Sequence, residues 1–134
     1  MVHGEPLFQI LYVSHLAAGA SFAVVAEIVA LARQRNPAHG ITGALLFDGE
    51  RFCQLLEGPE AEVVALMRSI SSDPRHAAVR VIFQGQTQAG RTSRHWLSGY
   101  CDAAELEAFD SIVGVPHEAA LAAFLLVLKG ADVE

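Results

Sequence analysis

The chain has 134 residues, a formal net charge of −6, and 52% hydrophobic residues against 18% charged ones. So much apolar content with so little charge excludes a disordered segment and suffices for one domain that needs no metal or disulfide staple. The acidic balance excludes a nucleic-acid binder, which gathers a basic stripe for the phosphate backbone.

Leu7–Ser14 predicts a strand, apolar and carrying Tyr12 and Val13. A loop containing Gly19 follows, and Ser21 is placed to cap a helix reaching Arg35. Asn36-Pro37 is expected to stop that helix, because a residue before proline avoids the helical region. Ile41–Asp48 predicts the second strand, Asp48-Gly49 a hairpin turn, and Arg51–Glu57 the third strand, broken by Gly58-Pro59. Glu60–Ser71 predicts a helix, with Val63, Leu66, Met67 and Ile70 at helical spacing and acidic residues in its first turn. Asp73-Pro74 ends it. Val79–Gln86 predicts a strand, Gln88–Arg94 a polar loop, and Trp96–Cys101 a short strand. Two helical patterns close the chain, Ala103–Ile112 and His117–Leu128.

The order β-α-β-β-α-β-β implies a ferredoxin-like α+β sandwich with two helices on one sheet face, plus C-terminal helices. Residues 1–101 read as the domain proper and 102–134 as a helical extension, either a cap or an association surface. Cys53 and Cys101 lie far apart and form no disulfide framework, which suits a reducing cytoplasm. The N-terminus lacks a basic segment followed by an apolar run, so no leader is expected. The longest apolar run, Ala119–Leu128, is half of the roughly 20 residues that cross a bilayer. The six histidines show no metal-ligand spacing, and there is no Walker loop, Cys-x-x-Cys or Gly-x-Gly-x-x-Gly, so no metal is expected.

Strand parity exposes the chemically odd residues. Phe8, Ile10 and Tyr12 share one face of the first strand; Phe52, Gln54 and Leu56 share one face of the third, with Arg51, Cys53 and Glu57 opposite. These parities place Tyr12 and Gln54 under the helices, where an unpaired polar group costs about 1–3 kcal/mol. Either the two bond each other and nearby backbone, or they face a flat ligand with a polar edge. Phe22–Ala32 carries one charge, Glu27, so the first helix is expected to be covered on more than one side. Ala23, Ala26 and Ala30 would let a planar ring approach, although alanine is also a good helix former. Asn36 could cap the helix or bind a ligand edge.

Four segments together resemble the BLUF family of blue-light sensors using flavin: Leu11-Tyr-Val-Ser14, Asn36 with Gly40-Ile-Thr-Gly43, Phe52-Cys-Gln-Leu-Leu-Glu-Gly-Pro59, and Asp73-Pro-Arg-His76. Order and spacing agree over about residues 7–101. The resemblance implies a ferredoxin-like fold and a non-covalent flavin between the two helices, usually FAD, with FMN or riboflavin tolerated. Tyr12 matches the tyrosine that gives an electron and a proton to the excited flavin. Gln54 matches the glutamine between that tyrosine and the flavin N5/C4=O edge, whose rearranged hydrogen bonds shift the absorption to the red. Asn36 matches the asparagine on the pyrimidine edge. Asp73, Arg75 and His76 match a polar cluster near the ribityl-phosphate exit. Many members carry Asn-Asn where this chain has Arg35-Asn36, which alters one pyrimidine contact.

The family segment Arg-x-Phe-x-x-Trp-x-Met-Gly is matched by Arg91-Thr-Ser-Arg-His-Trp-Leu-Ser-Gly99. Trp96 is kept, but Ser93 replaces the phenylalanine and Ser98 the methionine that transmits the signal from the glutamine. Ser98 could instead hydrogen bond Gln54. The resemblance therefore implies a photosensor, not an enzyme, with output to another protein and association into a homo-oligomer, and no nucleic-acid or membrane partner. The alternative is a degenerate, non-photoactive flavin-binding or protein-interaction domain. An acylphosphatase-type enzyme would need an arginine in the loop His15–Ser21, which has none. Cys53 points away from Gln54, so no flavin–cysteine adduct is expected.

Overall fold

The computed structural model describes residues 7–112 and 114–133; the N-terminal stretch read above for a leader lies outside them. The elements run β1 (Leu7–Leu16), α1 (Phe22–Ala38), β2 (Thr42–Phe47), β3 (Arg51–Gly58), α2 (Glu60–Ser72), β4 (His76–Thr87), β5 (Trp96–Tyr100), α3 (Glu107–Asp110), α4 (His117–Gly130) and β6 (Asp132–Val133). Among the described residues the strands form one six-stranded sheet in the order β4-β1-β3-β2-β5-β6. Strand β1 lies antiparallel between β3 and β4, β2 pairs antiparallel with β3, and β5 joins β2 in parallel. The first four strands therefore make the ferredoxin-like arrangement expected from the element order.

The end of α1 departs from expectation. The helix runs through Asn36 and Pro37 and stops at Ala38. Pro37 sits in the last turn, where it forfeits only its own donor. Gly40, at φ +73°, stops the helix instead. Its N–H donates to Pro37 O (3.1 Å) and the Ile41 N–H to Asn36 O (2.9 Å), the paired bonds of a Schellman motif. Ser21 takes the N-cap position with an extended backbone, but its side chain makes no capping bond. Gly43, at φ +127°, leaves no room for a side chain, since a Cβ there would sit 2.0 Å from Leu55 O.

The sheet is buried on both faces. Ile10, Tyr12, Leu45, Phe52 and Leu56 pack beneath Val25, Ile28, Val63 and Ile70 of α1 and α2. Leu11, Val13, Cys53 and Leu55 pack on the other face against Leu106, Phe109 and Phe124. The expected coverage of α1 on more than one side is not found. Only Val25, Ile28, Ala32 and Asn36 are buried, a single stripe at helical spacing. Phe22, Ala23, Ala26, Ala30 and Leu31 stay exposed.

The Ala103–Ile112 pattern yields one short helix, α3, not the longer one its composition suggests. Ala104 adopts φ +70°, which halts helical propagation. Specific anchors shape the rest of the segment. Leu106 N–H donates to Asp48 Oδ2 (3.2 Å), Arg51 Nε to Asp110 Oδ2 (2.5 Å), and Arg80 Nη1 to Ile112 O (2.8 Å). The two-residue β6 pairs with Gly99 and Tyr100, and no sequence signal announced it. Strand β4 begins at His76, three residues before the expected start, because it follows β1 as far as Leu16. No helix among the described residues is long and apolar enough to cross a membrane.

Candidate functional site

Tyr12 on β1 and Gln54 on β3 are direct cross-strand partners on the helix-covered face. Both are buried, and Gln54 Nε2 donates to Tyr12 Oη. Burial pushes the Tyr12 phenol well above its ordinary pKa; the Gln54 hydrogen bond opposes this more weakly. The phenol therefore keeps its proton at neutral pH. The bland reading of this pair, mutual hydrogen bonding, is realised, and Gln54 also lines a cleft.

Strand β4 slips against β1 between Leu11 and Tyr12 and again between Val13 and His15. Such bulges re-aim side chains beside a site. Here the slips end at His76, whose Nδ1 lies 2.8 Å from Ser14 Oγ. The His76 ring meets Tyr12 edge-on at 6.3 Å and Phe52 at 4.8 Å. Burial lowers the His76 pKa, with Asp73 opposing, so the ring is neutral at pH 7. Arg75 donates to Asp73 at 2.6 and 3.0 Å, and this hydrogen bonding holds the Asp73 carboxyl below its usual value.

Between α1 and α2 runs a cleft lined by Ile28, Ala32, Arg35, Gln54, Ile70 and His76, with Asp73 and Arg75 also on its wall. It holds about 300 Å³ of empty space, part of it open to solvent. A second cleft of about 430 Å³ shares Arg35 and is walled by Asn36, Leu66 and Ser69. The small residue of α1 that lines the cleft is thus Ala32; Ala23, Ala26 and Ala30 lie on the outer side of α1. Asn36 caps nothing with its side chain. Its backbone carbonyl closes the helix, while its amide Nδ2 and Oδ1 are buried without a partner, as is Arg35 Nε. Each such group costs about 1–3 kcal/mol unless something meets it. A planar heterocycle with donors and acceptors along one edge fits this set of donors and acceptor.

Trp96 and Ser98 lie on β5, next to β2. A row of strand partners runs Gln54–Leu45–Ser98 across β3, β2 and β5. Two strand spacings, roughly 10 Å, separate its ends. Ser98 Oγ is buried with no partner, so the expected bond to Gln54 is not made. Ser93 sits in the β4–β5 loop, where its N–H donates to Glu57 Oε1 (3.2 Å).

Glu57 is the residue that sequence reasoning placed without assigning. Fully buried on the face opposite Gln54, it accepts from Gln9 Nε2 (3.0 Å), Thr92 N (2.9 Å) and Thr92 Oγ1 (2.8 Å). Gln9 Oε1 continues to His117 Nε2 at 3.0 Å, and the His117 ring stacks on Phe83. One carboxylate thus ties the β4–β5 loop to the start of α4. The signal was available: a charge in the apolar run Leu-Leu-Glu-Gly is as anomalous as Gln54. Cys53 faces the same side as Glu57, and burial pushes its thiol well above its usual pKa.

The family model described as "Sensors of blue-light using FAD" matches residues 7–98. The blue light- and temperature-regulated antirepressor BluF of Escherichia coli is 43% identical over 70 residues, which is 52% of this chain and 17% of that protein. The photoactivated adenylate cyclase subunit alpha of Euglena gracilis is 39% identical over 84 residues, 62% of this chain and 8% of that one. The chain therefore spans only a small part of these relatives. Among solved structures, the dark state of BlrB, a BLUF protein, superposes with a TM-score of 0.73 at 27% identity, over 93% of this chain and 98% of that one. Klebsiella pneumoniae BlrP1 with FMN and cyclic diGMP gives 0.67 at 28% identity, covering 90% of this chain and 33% of that one. With the family's motif residues divided between two clefts that share Arg35, and with these likenesses over most of its length, the chain belongs to the BLUF family, sensors of blue light using FAD.

Proposed function

We propose that this chain is itself a working blue-light photoreceptor and not an enzyme, and that it signals by contact with another protein. The observation that carries the reading is the buried Gln54–Tyr12 hydrogen bond at a cleft that shares Arg35 with the cleft of Asn36, where the Asn36 amide and Arg35 Nε lack partners. Asn36 and Arg35 would hold the ring edge, and Asp73, Arg75 and His76 would line the mouth. FAD is the family's flavin, and FMN or riboflavin carries the same ring. Bound there, the flavin supplies absorption of blue light and, once excited, a strong oxidant.

Tyr12 is the electron and proton donor. Gln54 relays the proton once its carboxamide turns, so that its Oε1 accepts from Tyr12 Oη and its N–H donates toward the ring edge. When Tyr12 recovers its electron and proton, Gln54 is left rotated or tautomerised, with its N–H redirected from Tyr12 to the ring edge. The absorption then lies further to the red with no net redox change. Gln54 is the two-state element that light biases. Residues 1–101 act as the sensor, and 102–134 as a cap that also serves association into a homo-oligomer in the cytoplasm.

The purified protein should be yellow, shift its absorption to the red under blue light, and recover in the dark. A colourless protein that cannot be reconstituted with flavin would overturn the reading. The unpartnered Ser98 Oγ favours one alternative, a degenerate domain that binds flavin without a photocycle; its spectrum would not change under light. Asn36→Ala should weaken flavin binding about ten-fold, from two lost hydrogen bonds of about 0.5–1 kcal/mol each. A flavin fluorescence titration checks this, and unchanged affinity would remove Asn36 from the site.

A further inference from the structure

An acidic chain has little reason to gather its cations, yet three of its nine Lys and Arg residues line one surface cleft. The cleft lies on the opposite side of α1 from the interhelical groove. Arg33 and Pro37 form one wall, and Arg91, Arg94, His95 and Trp96 form the other. It encloses about 800 Å³ of empty space, including its open mouth. The walls also include Ile41 and the proline ring, so it is not a purely polar surface.

Among the described residues, no carboxylate forms an ion pair with Arg91 or Arg94. Arg91 is held in place by Thr42 Oγ1 (2.8 Å) and Glu57 O (3.1 Å), which orient its guanidinium, and Thr42 Oγ1 in turn donates to the Glu57 carboxylate (3.4 Å). Arg94 is exposed. Trp96 is 7% exposed, and its indole N–H is buried with no acceptor. Arg91, oriented by two neutral oxygens, and the exposed Arg94, over an apolar wall, make a receptor suited to an oxyanion.

We propose that this cleft binds a small phosphate-bearing ligand, separate from the flavin groove. A carboxylate would be matched by a single guanidinium, whereas a phosphate dianion uses two. The apolar wall of Pro37, Ile41 and Trp96 suits the organic body attached to the phosphate. The site is too small for the basic stripe of a nucleic-acid surface, so the overall acidity of the chain is no obstacle to it.

Trp96 is the only tryptophan and reports on the cleft directly. Inorganic phosphate titrated into the purified protein at constant ionic strength should change the Trp96 emission saturably, with half-saturation below about 10 mM. Acetate and chloride over the same range should not. Arg94→Ala should weaken the response about ten-fold, the effect of one lost charge-assisted hydrogen bond. Arg68→Ala, an exposed arginine elsewhere on α2, should leave it unchanged. Equal responses to phosphate, acetate and chloride would overturn the proposal, as would undiminished phosphate binding by Arg94→Ala or the absence of any saturable change. None of these readouts needs light, so failure here is distinct from failure of the photoreceptor reading.

Discussion

Gln54→Leu should bind flavin normally and show no red shift under blue light. Leucine occupies nearly the same volume, so the packing of Gln54 between β1 and β2 is kept. What is lost is the carboxamide, the only part that can donate to Tyr12 and then turn to a new partner. Flavin contacts assigned to Asn36 and Arg35 are untouched. The Tyr12 phenol, fully buried, loses its partner, which costs roughly 1–3 kcal/mol of stability. A thermal melt of the flavin-loaded variant separates that loss from the photochemical one. A full red shift in Gln54→Leu would remove Gln54 from its role as the switch.

Glu57→Ala should be strongly destabilising. Its carboxylate serves Gln9, Thr92 and Ser93 at once, through side-chain and backbone donors. Truncation leaves at least three donors without an acceptor, at about 1 kcal/mol each, so a loss of about 3 kcal/mol is expected. For a chain of this size that lowers the urea midpoint by about 1–3 M. Glu57→Gln keeps one acceptor oxygen and should fall between the two. The freed β4–β5 loop should also become easier for trypsin to cut at Arg91 and Arg94. A midpoint within about 0.3 M of the parent would show that water replaces the network without cost.

Much of the fold was legible because its signals are local. Strand parity alone placed Tyr12 and Gln54 on the helix-covered face and Cys53 on the other. The Asp48-Gly49 turn is formed as read, with Asp48 Oδ1 accepting from the Glu50 and Arg51 N–H groups at 3.1 and 2.7 Å. The helix end failed because two local rules conflicted. Proline at 37 argued for an early stop, but a glycine three residues later supplied the left-handed position that closes the helix. That difference keeps Asn36 helical and leaves its amide free to face the cleft.

Other features lay beyond any local pattern. The apolar girth of α1 suggested coverage that the packing does not provide, since composition does not say which neighbours arrive. Glu57 becomes a hub only because the loop before β5 folds back onto it, some 35 residues along the chain. Ser98 reaches the row of Gln54 through β2, yet remains unbonded because Leu45 lies between them.

By itself, then, the sequence determined the alternation of strands and helices, the buried face of each strand, and the Tyr12–Gln54 pair. Those follow from periods of 2 and 3.6 residues and from turn chemistry, which act within a few residues. The tertiary structure decided which polar groups remain unpaired, where the cleft opens, and what ties the β4–β5 loop to α4. Those depend on strand register, bulges and loop closure between distant segments, where a slip of one residue would exchange every contact.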